Sequence, residues 1–279
     1  MINIYYQFTK NCNYKCDYCV SHNKIDKAFT NKDIWTKICN FINELYNKTN
    51  ALGLNIYGGE PTLHPDFLDI IKNLNDNIKY ELFTNMSASL DLYDEFIYLR
   101  PKCSISASIH PRHMNVDDFI YKLEYLLNKH KQIHITIYCG IDNIYYPNKL
   151  DVDEINKKLH EILTSNRCSM TMFPIVYSGN SSNINIETNN KNTTIVNSVK
   201  INYKNIDVSN CFTNKAVIDP SGYIYQCVCA PHRLPLLDIT KSNAINKYFK
   251  LINEMSNITC KNETCCYKGN RHTTNEIQY

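Results

Sequence analysis

The chain has 279 residues, 43% of them hydrophobic, and a formal net charge of +3. That length can bury one substantial core and carry a smaller appendage, the charge gives no basic surface of the kind nucleic acid needs, and no apolar run approaches the roughly 18 residues of a membrane span. Thirteen cysteines, with no basic-then-apolar leader ahead of them, read as metal ligands in a reducing compartment rather than as disulfides, so the expected location is the cytoplasm. Hydrophobic periodicity then alternates strands with helices. Strands are expected at 2–8, 52–57, 79–84, 103–109, 133–139 and 169–176, with helices at 31–46, 65–74, 90–98, 116–130 and 150–163 between them. Six βα-like units predict an α/β fold with a parallel sheet, right-handed crossovers and functional residues at the C-terminal strand ends.

The first such end carries Cys12, Cys16 and Cys19 in the run CNYKCDYC. Three thiolates in one loop can hold three irons of a cubane and leave the fourth open. A zinc site completed by a ligand such as His22 is the other reading. The second end carries Gly58-Gly59-Glu60-Pro61, two of the chain's seven glycines among them. Glycine lets backbone approach a ligand closely, and a carboxylate or carbonyl is what a bound ammonium requires. Alone, the same residues read as a turn.

Cys-x3-Cys-x2-Cys with Tyr18 before its last cysteine, followed at this distance by GGEP, resembles the signature of the radical S-adenosylmethionine (SAM) superfamily. The resemblance implies a partial (β/α)6 barrel over residues 1–177 and a 4Fe-4S cluster on Cys12, Cys16 and Cys19 that binds SAM. It gives Gly58, Gly59 and Glu60 the methionine amino group. It implies an oxidoreductase in which reductive cleavage of SAM yields a 5'-deoxyadenosyl radical that abstracts hydrogen from a substrate C–H bond, with electrons from a reductase such as flavodoxin or ferredoxin. By the same resemblance Asn85, after Thr84, lies near SAM or substrate, and Ser106 and Ser108 reach the ribose and carboxylate of SAM. A helix-capping turn at Asn85 is the alternative. Ser106, Ser108 and His110 share one strand face, opposite Ile105, Ala107 and Ile109. Arg112 and His113 follow, where an arginine could pair with a carboxylate or simply face solvent. Cys139-Gly140-Ile141 marks the place of an adenine contact, Phe173, Pro174 and Ile175 read as core, and Cys39, Cys103 and Cys168 as small buried hydrophobes.

From Tyr177 the texture changes, and residues 178–279 are read as a second, cysteine-rich unit. NNKN at 189–192 suggests a turn between the alternating segments 184–188 and 193–203, and DPSGYIYQC suggests a hairpin turning at Ser221-Gly222. Cys211, Cys227 and the later Cys260, Cys265 and Cys266 resemble a shortened SPASM or twitch extension. That implies one auxiliary 4Fe-4S cluster, held by Cys211, Cys227, Cys260 and either Cys265 or Cys266, which accepts an electron from the substrate radical. Cys229 is extra to the pattern, a second cluster is open, and a zinc knuckle is the structural alternative. Because the barrel starts at residue 2, a small molecule such as a sugar or aminocyclitol is favoured over a peptide as substrate. A peptide delivered by a separate partner, or a non-catalytic electron-transfer module that does not use SAM, are the competing readings.

Overall fold

A computed structural model describes residues 1–16, 19, 29–141, 155, 157–160, 162–165, 167–174, 193–195, 215–225 and 235–255. The strands are β1 (Ile2–Thr9), β2 (Leu52–Gly58), β3 (Lys79–Thr84), β4 (Ser104–Ile109), β5 (His134–Ile141) and β6 (Cys168–Pro174), followed by β7 (Thr193–Ile195), β8 (Lys215–Ile218), β9 (Tyr223–Tyr225) and β10 (Leu237–Asp238). They form one sheet in the order β10-β9-β8-β1-β2-β3-β4-β5-β6-β7. From β8 through β7 every pairing is parallel, and only the β8–β9 and β9–β10 pairings are antiparallel.

Alternation along the strands sorts side chains onto two faces. Ile4, Tyr6 and Phe8 of β1, Leu54 and Ile56 of β2, Leu82 of β3 and Ile105 of β4 are fully buried in one apolar cluster. That cluster also takes the buried sides of α1 (Lys32–Thr49), α2 (Phe67–Lys72), α3 (Leu90–Leu99) and α4 (Val116–Lys129). Consecutive helices touch one another, so the four line a single side of the sheet. The opposite face, through Tyr5, Asn55, Glu81, Ser104 and His134 in register, is polar and free of these helices.

The helices begin where the sequence supplies caps. Asn31, Ser89 and Asn115 each accept a hydrogen bond from the first turn of α1, α3 and α4 with the side chain. Between β2 and α2 a short 3-10 turn, Pro61–Leu63, takes up residues ahead of the expected helix. Helical residues are found at 155, 157–160 and 162–163, and a last helix, α5 (Ala244–Met255), packs against α1. β7 lies parallel to β6, so the described part of the Asn-rich region extends the main sheet rather than forming a separate hairpin; residues 184–188 lie outside the described residues. The hairpin expected around Ser221-Gly222 is present as β8–β9, with Gly222 at φ 83°. β8 runs parallel along β1, which joins this part of the second unit directly to the first.

Arg100, 3% exposed, shows how the helical layer is tied down. Its guanidinium donates to the carbonyls of Ile71 and of Leu74 (2.8 Å), pairs with Asp76 at 2.8 Å, and lies 5.0 Å over the Tyr80 ring. It thereby satisfies the Leu74 carbonyl just past α2 and adds a second donor to the Ile71 carbonyl, which already accepts from Leu74 N–H at 3.1 Å. Arg100→Met keeps the aliphatic stem but strands the buried Leu74 carbonyl and removes the second donor to Ile71. A loss of about 3 kcal/mol is expected, measured as a lower urea midpoint; an unchanged midpoint would show that water replaces the guanidinium.

Candidate iron-sulfur and SAM site

The three cysteines occupy the loop that leaves the C-terminal end of β1. Cys12 and Cys19 are exposed and Cys16 is buried. A turn closes the second spacing, with Cys19 N–H donating to the Cys16 carbonyl at 2.9 Å, and Tyr14 N–H donates to Cys12 Sγ at 3.4 Å. Tyr18 lies outside the described residues. Burial pushes the Cys12 thiol up to about 11, opposed by the Tyr14 N–H and reinforced by Glu60, Cys16 and Cys19. Such a thiol becomes a ligand when a cation displaces its proton.

The GGEP loop holds this segment by its backbone. Gly59 N–H donates to the Thr9 carbonyl at 2.9 Å and Glu60 N–H to the Asn11 carbonyl at 2.7 Å. A Cβ on Gly58 would overlap the Thr9 carbonyl, and one on Gly59 would overlap the carbonyls of Asn11 and Lys10. The glycines therefore serve a close approach between two strand-end loops, in addition to whatever ligand they meet.

Glu60 is fully buried. One carboxylate oxygen accepts from Thr62 N–H (3.2 Å), Thr62 Oγ (2.6 Å) and Thr84 Oγ (2.9 Å), and the other from Asn85 N–H at 2.6 Å. Burial raises its pKa, while these donors to the charged form pull it back. Thr84 and Asn85, both 4% exposed, close β3 as expected. The Asn85 side chain turns toward the cysteine loop, with Nδ2 2.9 Å from Asn13 Oδ1 and 3.9 Å from Cys12 Sγ. The next residue, Met86, takes a left-handed φ of 59°, the sort of local strain that clusters at functional sites.

On β4, Ser106 is 1% exposed and donates to Glu81 Oε1 at 2.5 Å, whereas Ser108 is half-buried nearer the strand end. Glu81 did not stand out in the sequence, although its alternation with Phe83 puts it on the same polar face. His110, directly after β4, has Nδ1 3.6 Å from Cys16 Sγ, and its ring meets the edge of Tyr14 at 5.8 Å. Burial, reinforced by His113, pushes its pKa down to about 4. Cys139 is buried in the apolar cluster, as are Cys39, Cys103 and Cys168. Cys211, Cys227, Cys229, Cys260, Cys265 and Cys266 lie outside the described residues.

Among the described residues no three His, Cys, Asp or Glu side chains converge tightly enough for a single metal ion. A cubane asks for less, because each thiolate binds a different iron. Three thiols spread around one loop, with an N–H already on one sulfur, fit a cluster better than a closed zinc site.

A family model described as a 4Fe-4S single cluster domain matches residues 4–92, which run from β1 through the cysteine loop, the GGEP loop and β3 into α3. A protein of Methanocaldococcus jannaschii, provisionally named as a glycyl-radical enzyme activating enzyme, is 29% identical over 155 residues, covering 53% of this chain and 58% of its own. The chain thus spans little more than half the length of that relative. Among solved structures, native anSMEcpe with bound AdoMet matches with a TM-score of 0.60 at 15% identity, covering 96% of this chain and 87% of that one. BtrN in complex with AdoMet and 2-DOIA matches with a TM-score of 0.54 at 11% identity, covering 91% and 86%. The structural matches show the partial-barrel fold, and the family model places an iron-sulfur cluster domain over the segment that carries the three cysteines.

Replacing Gly59 by Ala tests the docking of the two loops. The sheet should fold normally by circular dichroism, while iron retained after anaerobic reconstitution falls several-fold. Undiminished iron would mean that the cysteine loop closes without its contact to the GGEP backbone.

Proposed function

We propose that the chain is a radical SAM enzyme in which Cys12, Cys16 and Cys19 hold a 4Fe-4S cluster and the Gly58–Glu60 segment faces the methionine end of SAM. The observation that carries this reading is the pair of backbone hydrogen bonds binding the cysteine loop to the GGEP loop at the C-terminal ends of adjacent parallel strands. A cluster with an open iron and a ligand seated against the GGEP backbone would meet there. When bound, the cluster would supply the one electron that cleaves SAM into methionine and a 5'-deoxyadenosyl group, which would become 5'-deoxyadenosine by taking hydrogen from the substrate.

The chain's own residues orient and shield. With its side chain committed to in-chain donors and its carbonyl bonded to Leu63 N–H, Glu60 fixes the loop, and the glycine carbonyls of the GGEP segment are the acceptors for the SAM ammonium. Ser108 and the polar face below it supply hydroxyl groups toward SAM and substrate. Asn55, Glu81 and Ser106 on that face suit a polar substrate, in line with a sugar or aminocyclitol. A glycyl residue of a partner protein is the second reading, favoured by the name of the archaeal relative. For the C-terminal part, the β8–β9 hairpin supports a twitch-like extension whose Cys211, Cys227, Cys260 and Cys265 or Cys266 hold an auxiliary 4Fe-4S cluster as electron acceptor. A flavodoxin or ferredoxin would reduce the first cluster.

Iron, sulfide and zinc per chain after anaerobic reconstitution test these assignments together with 5'-deoxyadenosine formed from SAM and dithionite. Roughly eight irons falling to about four, with loss of 5'-deoxyadenosine, are expected when Cys12, Cys16 and Cys19 are all changed to Ala. Roughly four falling to none, with zinc retained, would make the tail structural and remove the electron-acceptor role. Zinc alone in the native protein would overturn the radical SAM reading.

A further inference from the structure

We propose that His110 and Asn85 set the reduction potential of the cluster by donating hydrogen bonds to the thiolates of Cys16 and Cys12. The proposal rests on the cluster assignment above and goes beyond it, since neither residue would be a ligand. Each is the first residue past a strand, Asn85 after β3 and His110 after β4, so adjacent strand ends aim one donor each at the cysteine loop. His110 Nδ1 lies 3.6 Å from Cys16 Sγ, and Asn85 Nδ2 lies 3.9 Å from Cys12 Sγ. Cys12 Sγ already receives the Tyr14 N–H at 3.4 Å, so two of the three sulfurs face N–H groups that the fold supplies.

Both donors are held in place. His110 N–H donates to Met114 Sδ at 3.3 Å, its carbonyl accepts from His113 N–H at 2.8 Å, and Tyr14 packs edge-on against its ring. Asn85 is fixed by its backbone bond to Glu60, by Nδ2 on Asn13, and by Ser87 N–H donating to its Oδ1 at 3.0 Å. A thiolate can only accept, so the imidazole tautomer facing it carries its proton on Nδ1. Hydrogen bonds to cluster sulfurs stabilise the more negative, reduced state and raise the potential.

The test is a potentiometric titration, followed by electron paramagnetic resonance, of the cluster in protein whose tail cysteines Cys260, Cys265 and Cys266 are changed to Ala, so that one signal is read. His110→Leu should retain iron and sulfide and lower the reduced-to-oxidised ratio at a given potential about tenfold, a shift of about 59 mV for a one-electron couple. His110→Gln, which keeps an N–H donor, should restore most of it. Asn85→Ala should shift the ratio in the same direction by less, given its longer contact. Full iron with an unchanged potential in both His110→Leu and Asn85→Ala would overturn the proposal. Loss of iron in His110→Leu would overturn it too, by making His110 a ligand or a structural support. A parent protein that binds no iron would instead sink the cluster assignment itself, before any variant is compared.

Discussion

The candidate site depends on the buried carboxylate of Glu60. Four donors from Thr62, Thr84 and Asn85, all buried residues, converge on its two oxygens. Leaving such a donor unpaired costs about 1–3 kcal/mol, and a protonated carboxyl would bring a fifth proton into the same cluster, so the donor set favours the anion even as burial opposes it. The network has a direction. If Thr84 gives its proton to Glu60, the Tyr93 hydroxyl at 2.9 Å must donate to Thr84, whose oxygen also accepts from Met86 N–H. Each bond polarises the next. Because the Glu60 N–H is itself bonded to Asn11, one residue fixes the ends of β1, β2 and β3 relative to one another.

That fixation matters because of where the helices sit. With α1 to α4 stacked along one side, the sheet presents an apolar face inward to them and a polar face outward, and both faces end at the same rim of loops. The rim gathers residues far apart in sequence, Cys12, Glu60, Asn85 and His110, because in a parallel sheet every C-terminal strand end lies on the same side. Preorganisation then comes from hydrogen bonds between loops rather than from packing. Gly59 and Glu60 N–H groups hold the cysteine segment, while Asn85 and His110 side chains face its sulfurs.

The strands and helices of the first half were legible because each repeats its own period. KYELFT alternates, and KDIWTKICNFINEL returns an apolar residue every third or fourth position, so β3 and α1 fall close to where periodicity places them. The cysteine and GGEP loops were legible as residue types at the right strand ends. What no local pattern encodes is which remote partner a side chain meets. The commitment of Glu60 to Thr84 and Asn85 joins residues 24 and 25 positions apart, and Ser106 to Glu81 spans 25. The family resemblance gives Glu60 and Ser106 to the ligand, and the structure adds hydrogen bonds within the chain on both side chains. The 3-10 turn at Pro61–Leu63 was hidden for a related reason. It is capped by Glu60 itself, whose side chain accepts from Thr62, a contact that residue type alone does not distinguish from ligand binding.

The C-terminal hairpin shows that a boundary in composition need not be a boundary in the sheet. β8 pairs with β1 along Asn3 to Tyr6 on the edge opposite β2, so the strand that carries the cysteine loop is flanked on one side by the GGEP strand and on the other by the hairpin. Thr30 draws the junction closer. Its buried hydroxyl lies 3.3 Å from the Phe8 carbonyl at the end of β1 and 3.0 Å from the Pro220 carbonyl in the hairpin turn, while its own carbonyl meets His64 Nε2 at 3.2 Å. His64 Nδ1 accepts from Asp66 N–H, which leaves the proton on Nε2 and makes the bond to Thr30 a donated one. The turn of the hairpin, the end of β1 and the segment entering α2 thus share one residue. The hairpin therefore meets the strand that leads into the cysteine loop through a parallel strand pair.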